Sequence, residues 1–93
     1  MAKILYDDDR PAREVSPPDG ISYHLKELYE WLECDYVDVV NLRDGRILII
    51  DDCGKDCKAV NDAATFEAHA AGVLFPNDYI CGSVLICKDE EFK

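Results

Sequence analysis

The sequence predicts an α+β domain, in which a small, mainly antiparallel sheet of about five strands is covered by one amphipathic helix, with a short second helix. First, apolar residues recur at the spacing of one helical face between residues 21 and 32. Second, several short segments rich in β-branched residues are separated by turn residues. Third, the segments follow the order strand–strand–helix–strand–strand–helix–strand without a long linker. The prediction is a single domain over residues 1–87, followed by a charged tail at residues 88–93.

The first part of the chain is predicted to form two strands and the amphipathic helix. One strand covers about residues 2–7, and a short antiparallel return strand follows at Arg13–Val15. Pro17 and Pro18 end it, because proline cannot continue a central strand. Asp19 stands where a helix N-cap is expected. The apolar stripe of the helix, which we expect to pack on the sheet, consists of Ile21, Leu25, Leu28 and Leu32.

The middle of the chain is predicted to form a β-hairpin. Tyr36–Leu42 is the first strand, and Asp44 and Gly45 form the residue pair most typical of a hairpin turn. The partner strand, Ile47–Ile50, is an unbroken apolar run. Such a run indicates a strand inside the sheet, with both of its faces at least partly covered.

A second helix and a last strand complete the predicted fold. The helix is rich in alanine, the best helix former, and lies between Asn61 as N-cap and Gly72 as C-cap. The last strand is predicted at Tyr79–Cys87, where apolar and β-branched residues return.

The charge of the chain limits its partners. The 93 residues include 20 acidic and 10 basic side chains, a formal net charge of −10. Such a surface repels nucleic-acid backbones, so direct binding to DNA or RNA is not expected. Solubility explains the charge most simply, and nucleic-acid mimicry or docking on a basic partner is the alternative. No apolar segment reaches the length of a membrane span and no signal-peptide core follows Met1, so we expect a cytoplasmic protein without membrane contact.

Few residues suggest catalysis or metal binding. The five cysteines are expected to be free thiols. Cys53 and Cys57 lie four residues apart but lack a second ligand pair, so no metal is expected. The two histidines, His24 and His69, stand in no pattern typical of acid–base chemistry. We expect a non-enzymatic protein with no catalytic residues and no cofactor.

The sequence contains one candidate anion site. Lys55 and Lys58 precede the predicted helix start at Asn61, where free backbone N–H groups and nearby cations favour an anion. Arg43 and Arg46 in the hairpin turn form the other local cationic group. The alternative interpretation is that Asn61 only caps its helix. The candidate ligand-binding residues are Arg43, Arg46, Lys55, Lys58, Asn61 and Thr65.

A series of short motifs runs through the second half of the chain. They are Gly54-Lys55, Asn61-x-x-Ala64-Thr65 and Asp78-Tyr79-Ile80-x-Gly82, after a helix and the strand Tyr36-Val37-Asp38-Val39-Val40. In this order, over about residues 3–87, the chain resembles the domain of unknown function 3846, a family of small phage, prophage and plasmid proteins. It departs from that family at Ala59-Val60, where a turn such as Leu-Pro is usual, and at Glu33-Cys34-Asp35, where Gly-Gly is frequent. The resemblance implies a mobile-element origin and a bacterial host cell, and it implies no activity.

Two functional hypotheses follow. The first is a non-enzymatic protein that counters host defence by binding and sequestering a small phosphorylated, nucleotide-type signal. The second is an acidic inhibitor or adaptor that docks on a basic host protein. We also expect a homo-oligomer, most simply a dimer, because a small core and at least one sheet edge leave apolar and strand-edge surface to cover.

Overall fold

The fold is built on one five-stranded antiparallel sheet, described by a computed structural model for residues 2–16, 25–54 and 58–89. Two helices accompany it among these residues. In chain order the elements are β1 (Ala2–Leu5), β2 (Arg13–Val15), α1 (Leu25–Leu32), β3 (Val37–Asn41), β4 (Arg46–Asp51), α2 (Asp62–Ala70) and β5 (Val84–Lys88). The strands lie side by side in the order β2-β1-β5-β4-β3, with every neighbouring pair antiparallel. The α+β class predicted from the sequence is confirmed.

The two helices pack on opposite faces of the sheet. Leu28 and Leu32 of α1 are fully buried in one apolar cluster with Ile47 and Ile49 of β4. Leu48, between them, faces the other way and joins the cluster formed with α2, because successive strand residues point to opposite faces. The apolar run in β4 is therefore covered on both sides, as predicted. Of the predicted helical stripe, Ile21 lies outside the described residues.

The ends of α2 follow from its sequence. The Oδ1 atom of Asn61 accepts the N–H of Ala64 at 3.0 Å, which confirms Asn61 as the N-cap. At the other end the C-cap is Ala71, and Gly72, predicted for that position, is the next residue, at a φ of +71°. The N–H of Val73 returns to the carbonyl of Ala68 at 3.1 Å, a closure that favours glycine at the left-handed position.

The first and last strands are shorter than predicted at one end. β1 ends at Leu5, before the acidic run that follows it. The last strand begins at Val84 rather than Tyr79, because Gly82 has a φ of +85°, which breaks the strand. It continues to Lys88, which the sequence assigned to the charged tail, since Lys88 pairs with Arg46 in the sheet. Residues 90–93 of the predicted tail lie outside the described part of the chain.

β3 forms one edge of the sheet and is partly protected. The N–H of Leu42 bonds to the carbonyl of Arg46 at 3.0 Å. Because bonded and non-bonded pairs alternate in an antiparallel ladder, the N–H of Val39 points away from β4. The carboxylate of Asp38 accepts this N–H at 2.8 Å. A donor that a second copy of the chain would need for edge pairing is thus already occupied.

Candidate ligand-binding cavity

Asn61, a predicted ligand residue, makes hydrogen bonds to three separate segments of the chain. Its side chain is fully buried. Besides capping α2, its Nδ2 donates to the carbonyls of Leu5 (2.8 Å) and Gly82 (2.9 Å). Both amide hydrogens of the side chain are therefore used within the protein. Asn61 ties β1, α2 and the segment before β5 together, which agrees with the interpretation that it acts as a cap.

Thr65 and Lys58 also make internal bonds. The Thr65 hydroxyl accepts the N–H of Ile80 at 2.9 Å. The Lys58 ammonium contacts the carboxylate of Asp51 at 2.8 Å and donates to two carbonyls at the end of α1, those of Leu32 (2.7 Å), its last residue, and Glu33 (2.6 Å), the next one. Burial acts to lower the pKa of Lys58, but the hydrogen bond and charge of Asp51 outweigh it and raise that pKa. These contacts make Lys58 a clamp on the end of α1.

The hairpin arginines differ from each other. Arg46 bonds to the carboxylates of Asp44 (2.9 Å) and Glu67 (3.2 Å), and the bond to Asp44 raises the arginine pKa. Arg43 is exposed, at a φ of +69° in the turn. Lys55 lies outside the described residues. The described members of the predicted set thus lie in three places: the start of α2, the end of α1 and the hairpin.

A cavity lies between α2 and one face of the sheet. It measures about 460 Å³. Its apolar lining includes Leu5, Ala63, Phe66 and Ile86. The basic residues that line it are Lys3, Arg46 and Lys88. Of the predicted ligand residues that the structure describes, Arg46 alone is among these lining residues. We call this space the α2 cavity.

The strand register brings the three basic residues of the α2 cavity to one face of the sheet. Lys3 of β1 stands opposite Ile86 of β5, and Lys88 stands opposite Arg46 of β4. Cross-strand partners share a face, and so do residues two apart in one strand. The register therefore brings all three cations to the face that carries α2. Phe66 of α2, 70% exposed, contributes an aromatic side chain to the lining.

A second cavity, of about 310 Å³, adjoins the first. The two have Leu5, Ala12 and Ala63 in common. The carboxylates lining the second are Asp7, Asp8, Asp9 and Asp62. We call it the acidic cavity.

Arg10 is the cation of the acidic cavity. Its Nε lies 3.0 Å from an Asp8 carboxylate oxygen, and its guanidinium lies over the Tyr6 ring, 4.0 Å from the centroid. The Arg10 hydrogen bonds lower the pKa of Asp8. The acidic cavity thus already holds one guanidinium against an aromatic ring.

Within residues 2–16, 25–54 and 58–89, no group of three or more His, Cys, Asp or Glu side chains is placed to hold a metal ion. No helix in the described part of the chain is both long and apolar enough to span a bilayer. His69 Nε2 lies 2.8 Å from the carbonyl oxygen of Asp78, and His69 is not among the described residues that line the α2 cavity.

Comparison with models of known protein families, with curated proteins and with solved structures finds no match for this chain. The resemblance to the domain of unknown function 3846 therefore stays a prediction.

Proposed function

We propose that the protein is a non-enzymatic binding protein that holds a small phosphorylated molecule of nucleotide type in the α2 cavity. One observation carries this proposal: three of the ten basic residues of a chain with net charge −10 line a single cavity. Arg46 is paired with Asp44 and Glu67, but the three cations outnumber Glu67, the carboxylate among the described lining residues, so the cavity is positive on an otherwise acidic protein. Low-dielectric walls around such a site focus its field on an incoming anion.

The apolar lining suits the remainder of a nucleotide. Ligand cavities commonly have about 300–1,000 Å³, with mostly apolar walls and a few polar groups. The α2 cavity, at about 460 Å³, lies in that range. Leu5 and Ile86 offer apolar contact, and Phe66 offers a ring on which a base can stack, an interaction worth about 1–3 kcal/mol. Phosphate at the cations and base on the apolar surface is the arrangement we propose.

A binding role fits the lining better than a catalytic one. Glu67 is the carboxylate among the described lining residues, and it is paired with Arg46 at 3.2 Å. The carboxylate oxygen of Glu67 that contacts Arg46 is already occupied within the protein, so it is poorly available to accept a proton from a ligand. We therefore propose sequestration of the ligand rather than its conversion.

The biological setting is proposed from the resemblance to phage, prophage and plasmid proteins. In a bacterial host cytoplasm, a mobile element gains from removing a nucleotide that signals defence. A small binding protein does so in proportion to its concentration, without turnover. The ligand would then be a host signal rather than a metabolite needed by the element.

A thermal-shift screen tests the proposal. Purified protein is heated with adenosine, guanosine, cytidine and uridine phosphates, with cyclic nucleotides and with inorganic phosphate. A ligand at 100 times its dissociation constant adds about 2.7 kcal/mol to the free energy of unfolding. We expect at least one nucleotide to raise the melting temperature more than inorganic phosphate does. No shift with any nucleotide would contradict the proposal.

The acidic cavity supports a second candidate function, docking on a basic host protein. Asp7, Asp9 and Asp62 line one side of the molecule near α2. Association through such a surface depends on many exposed charges and weakens steeply as ionic strength rises. A nucleotide held partly by apolar contact loses less affinity. Titrations at low and high salt therefore distinguish the two functions.

A further inference from the structure

The α2 cavity and the acidic cavity are two halves of one groove. Leu5, Ala12 and Ala63 line both cavities, so the apolar middle of the groove is continuous. We call the α2 cavity the cationic half and the acidic cavity the acidic half. The cations of the first are Lys3, Arg46 and Lys88, and the carboxylates of the second are Asp7, Asp8, Asp9 and Asp62.

Each half of the groove also exposes a large apolar side chain. Phe66 lines the cationic half and is 70% exposed, and Val60 lines the acidic half and is 46% exposed. Val60 stands three residues before Ala63 in the chain, and Phe66 stands three residues after it. Exposed apolar side chains that are flanked by charged ones are typical of protein–protein interfaces.

We propose that the groove binds a second copy of this chain, in a two-fold symmetric dimer. A two-fold interface brings the same surface of both copies together, so that surface must be complementary to itself. The groove meets this condition when the axis passes near Ala63, because the cationic half of each copy then faces the acidic half of the other. The same arrangement places Phe66 of each copy against Val60 of the other.

The charge of the groove favours this occupant over others. Two copies of a chain with net charge −10 repel each other in most orientations. The antiparallel arrangement of two grooves is the exception, because it sets cations against carboxylates at both ends of the interface. A basic partner would match the acidic half alone, and an acidic partner the cationic half alone. A second copy matches both.

The dimer does not depend on the proposed function, but it uses the same cations. A phosphate bound by Lys3, Arg46 and Lys88 would take the place of the acidic half of the other copy. A nucleotide should therefore shift the equilibrium towards the monomer. Dimerisation should in turn lower the apparent affinity for the nucleotide by the same coupling.

Charge reversal in each half tests the dimer without any ligand. Sedimentation equilibrium over the micromolar range should show the wild-type mass rising from that of one chain to that of two. Lys88→Glu and Asp62→Lys should each weaken dimerisation at least about fivefold, because each sets like charges together at both ends of the interface. An equal mixture of the two variants should dimerise about as well as the wild type. In the mixed dimer the two changed halves face each other, and so do the two unchanged halves.

Two control variants separate the groove from net charge. Lys26→Glu and Asp35→Lys change exposed residues outside the groove lining, and both should leave dimerisation close to that of the wild type. Asp62→Lys makes the chain less negative, so a general repulsion between copies would predict tighter dimerisation. The expected weakening has the opposite sign.

The outcomes also distinguish the dimer from the proposed function. A wild type that stays monomeric at high micromolar concentration would overturn the inference. Single variants that dimerise like the wild type, or a mixture that stays monomeric, would overturn it as well. If the dimer behaves as expected but a nucleotide that binds leaves it intact, the dimer is supported and the phosphate is not held by the cationic half. That result would contradict the proposed function alone.

Discussion

Replacing Lys58 with methionine tests whether this residue is a structural clamp or a ligand contact. The change keeps the length of the side chain and removes the ammonium. It leaves the buried Asp51 carboxylate without its cation. The carbonyls of Leu32 and Glu33, at the end of α1, also lose this donor. We expect the protein to remain folded with a clearly lower free energy of unfolding, and its affinity for a nucleotide to change little.

The magnitude follows from the burial of the pair. Removing one partner of a buried ion pair costs about 3–5 kcal/mol. The Lys58 side chain keeps 20% exposure, and the Cys53 N–H still donates to Asp51 at 2.9 Å. We therefore expect a loss of about 3 kcal/mol, the lower end of that range. This is a large share of the roughly 5–15 kcal/mol that stabilises a typical domain.

Urea denaturation followed by circular dichroism measures this loss. Lys26→Met is the matched control, because Lys26 is exposed on α1, and its change should stay within about 0.5 kcal/mol. In a double-mutant cycle with Asp51→Asn, the coupling should exceed about 1 kcal/mol. A loss below about 1 kcal/mol for Lys58→Met, together with weakened nucleotide binding, would refute the clamp and restore Lys58 to the ligand site.

The same contact predicts a pH dependence. The pKa of Lys58 is raised in the folded protein, so its contribution is fully present below the ordinary lysine pKa of about 10.4. The contribution is lost as the pH rises through the folded-state pKa. The stability difference between the wild type and Lys58→Met should therefore be constant near neutral pH and shrink above about pH 10.4. A difference that grows with alkaline pH would contradict this sign.

Two further predictions concern Asn61 and the sheet edge. Asn61→Asp keeps the cap but loses both bonds from Nδ2 and places a carboxylate beside the carbonyls of Leu5 and Gly82. Each lost bond costs about 1–3 kcal/mol, so urea denaturation should show a marked loss in the free energy of unfolding. An unchanged free energy of unfolding would contradict the structural role of the two Nδ2 hydrogen bonds. Asp38→Ala frees the outward N–H of Val39, so light scattering at high micromolar concentration should show more self-association than for the wild type. An unchanged mass would mean that the expected dimer, if it forms, uses another surface.

The sequence was sufficient where local patterns decide the structure. The apolar spacing around Leu28 and Leu32 predicts α1, and the unbroken run in β4 predicts a strand covered on both faces. The Asn61 cap follows from its position before an alanine-rich segment. Each of these features depends on neighbours along the chain, so one sequence contains the required information.

The cavity could not be predicted in this way. Its cations come from β1, β4 and β5, and only the register that pairs Lys3 with Ile86 and Lys88 with Arg46 brings them together. A shift of one residue in β1 would turn Lys3 to the other face. The internal role of Lys58 was missed for a similar reason, because Leu32 and Asp51 are distant from it in the chain.

We propose that Lys3, Arg46 and Lys88 of the α2 cavity bind the phosphate of a nucleotide. Calorimetric titration of adenosine diphosphate, or of the best nucleotide from the screen, into the wild type, Lys3→Gln and Lys26→Gln tests it most directly. Each variant removes one positive charge. Lys3 lines the cavity, whereas Lys26 is an exposed lysine of α1 on the opposite face of the sheet, so Lys26→Gln controls for the change in net charge. A charged hydrogen bond is worth about 1.5–3 kcal/mol, so we predict about 10- to 100-fold weaker binding for Lys3→Gln and wild-type affinity for Lys26→Gln. Equal affinities in all three proteins, or no binding to any of them, would contradict the claim.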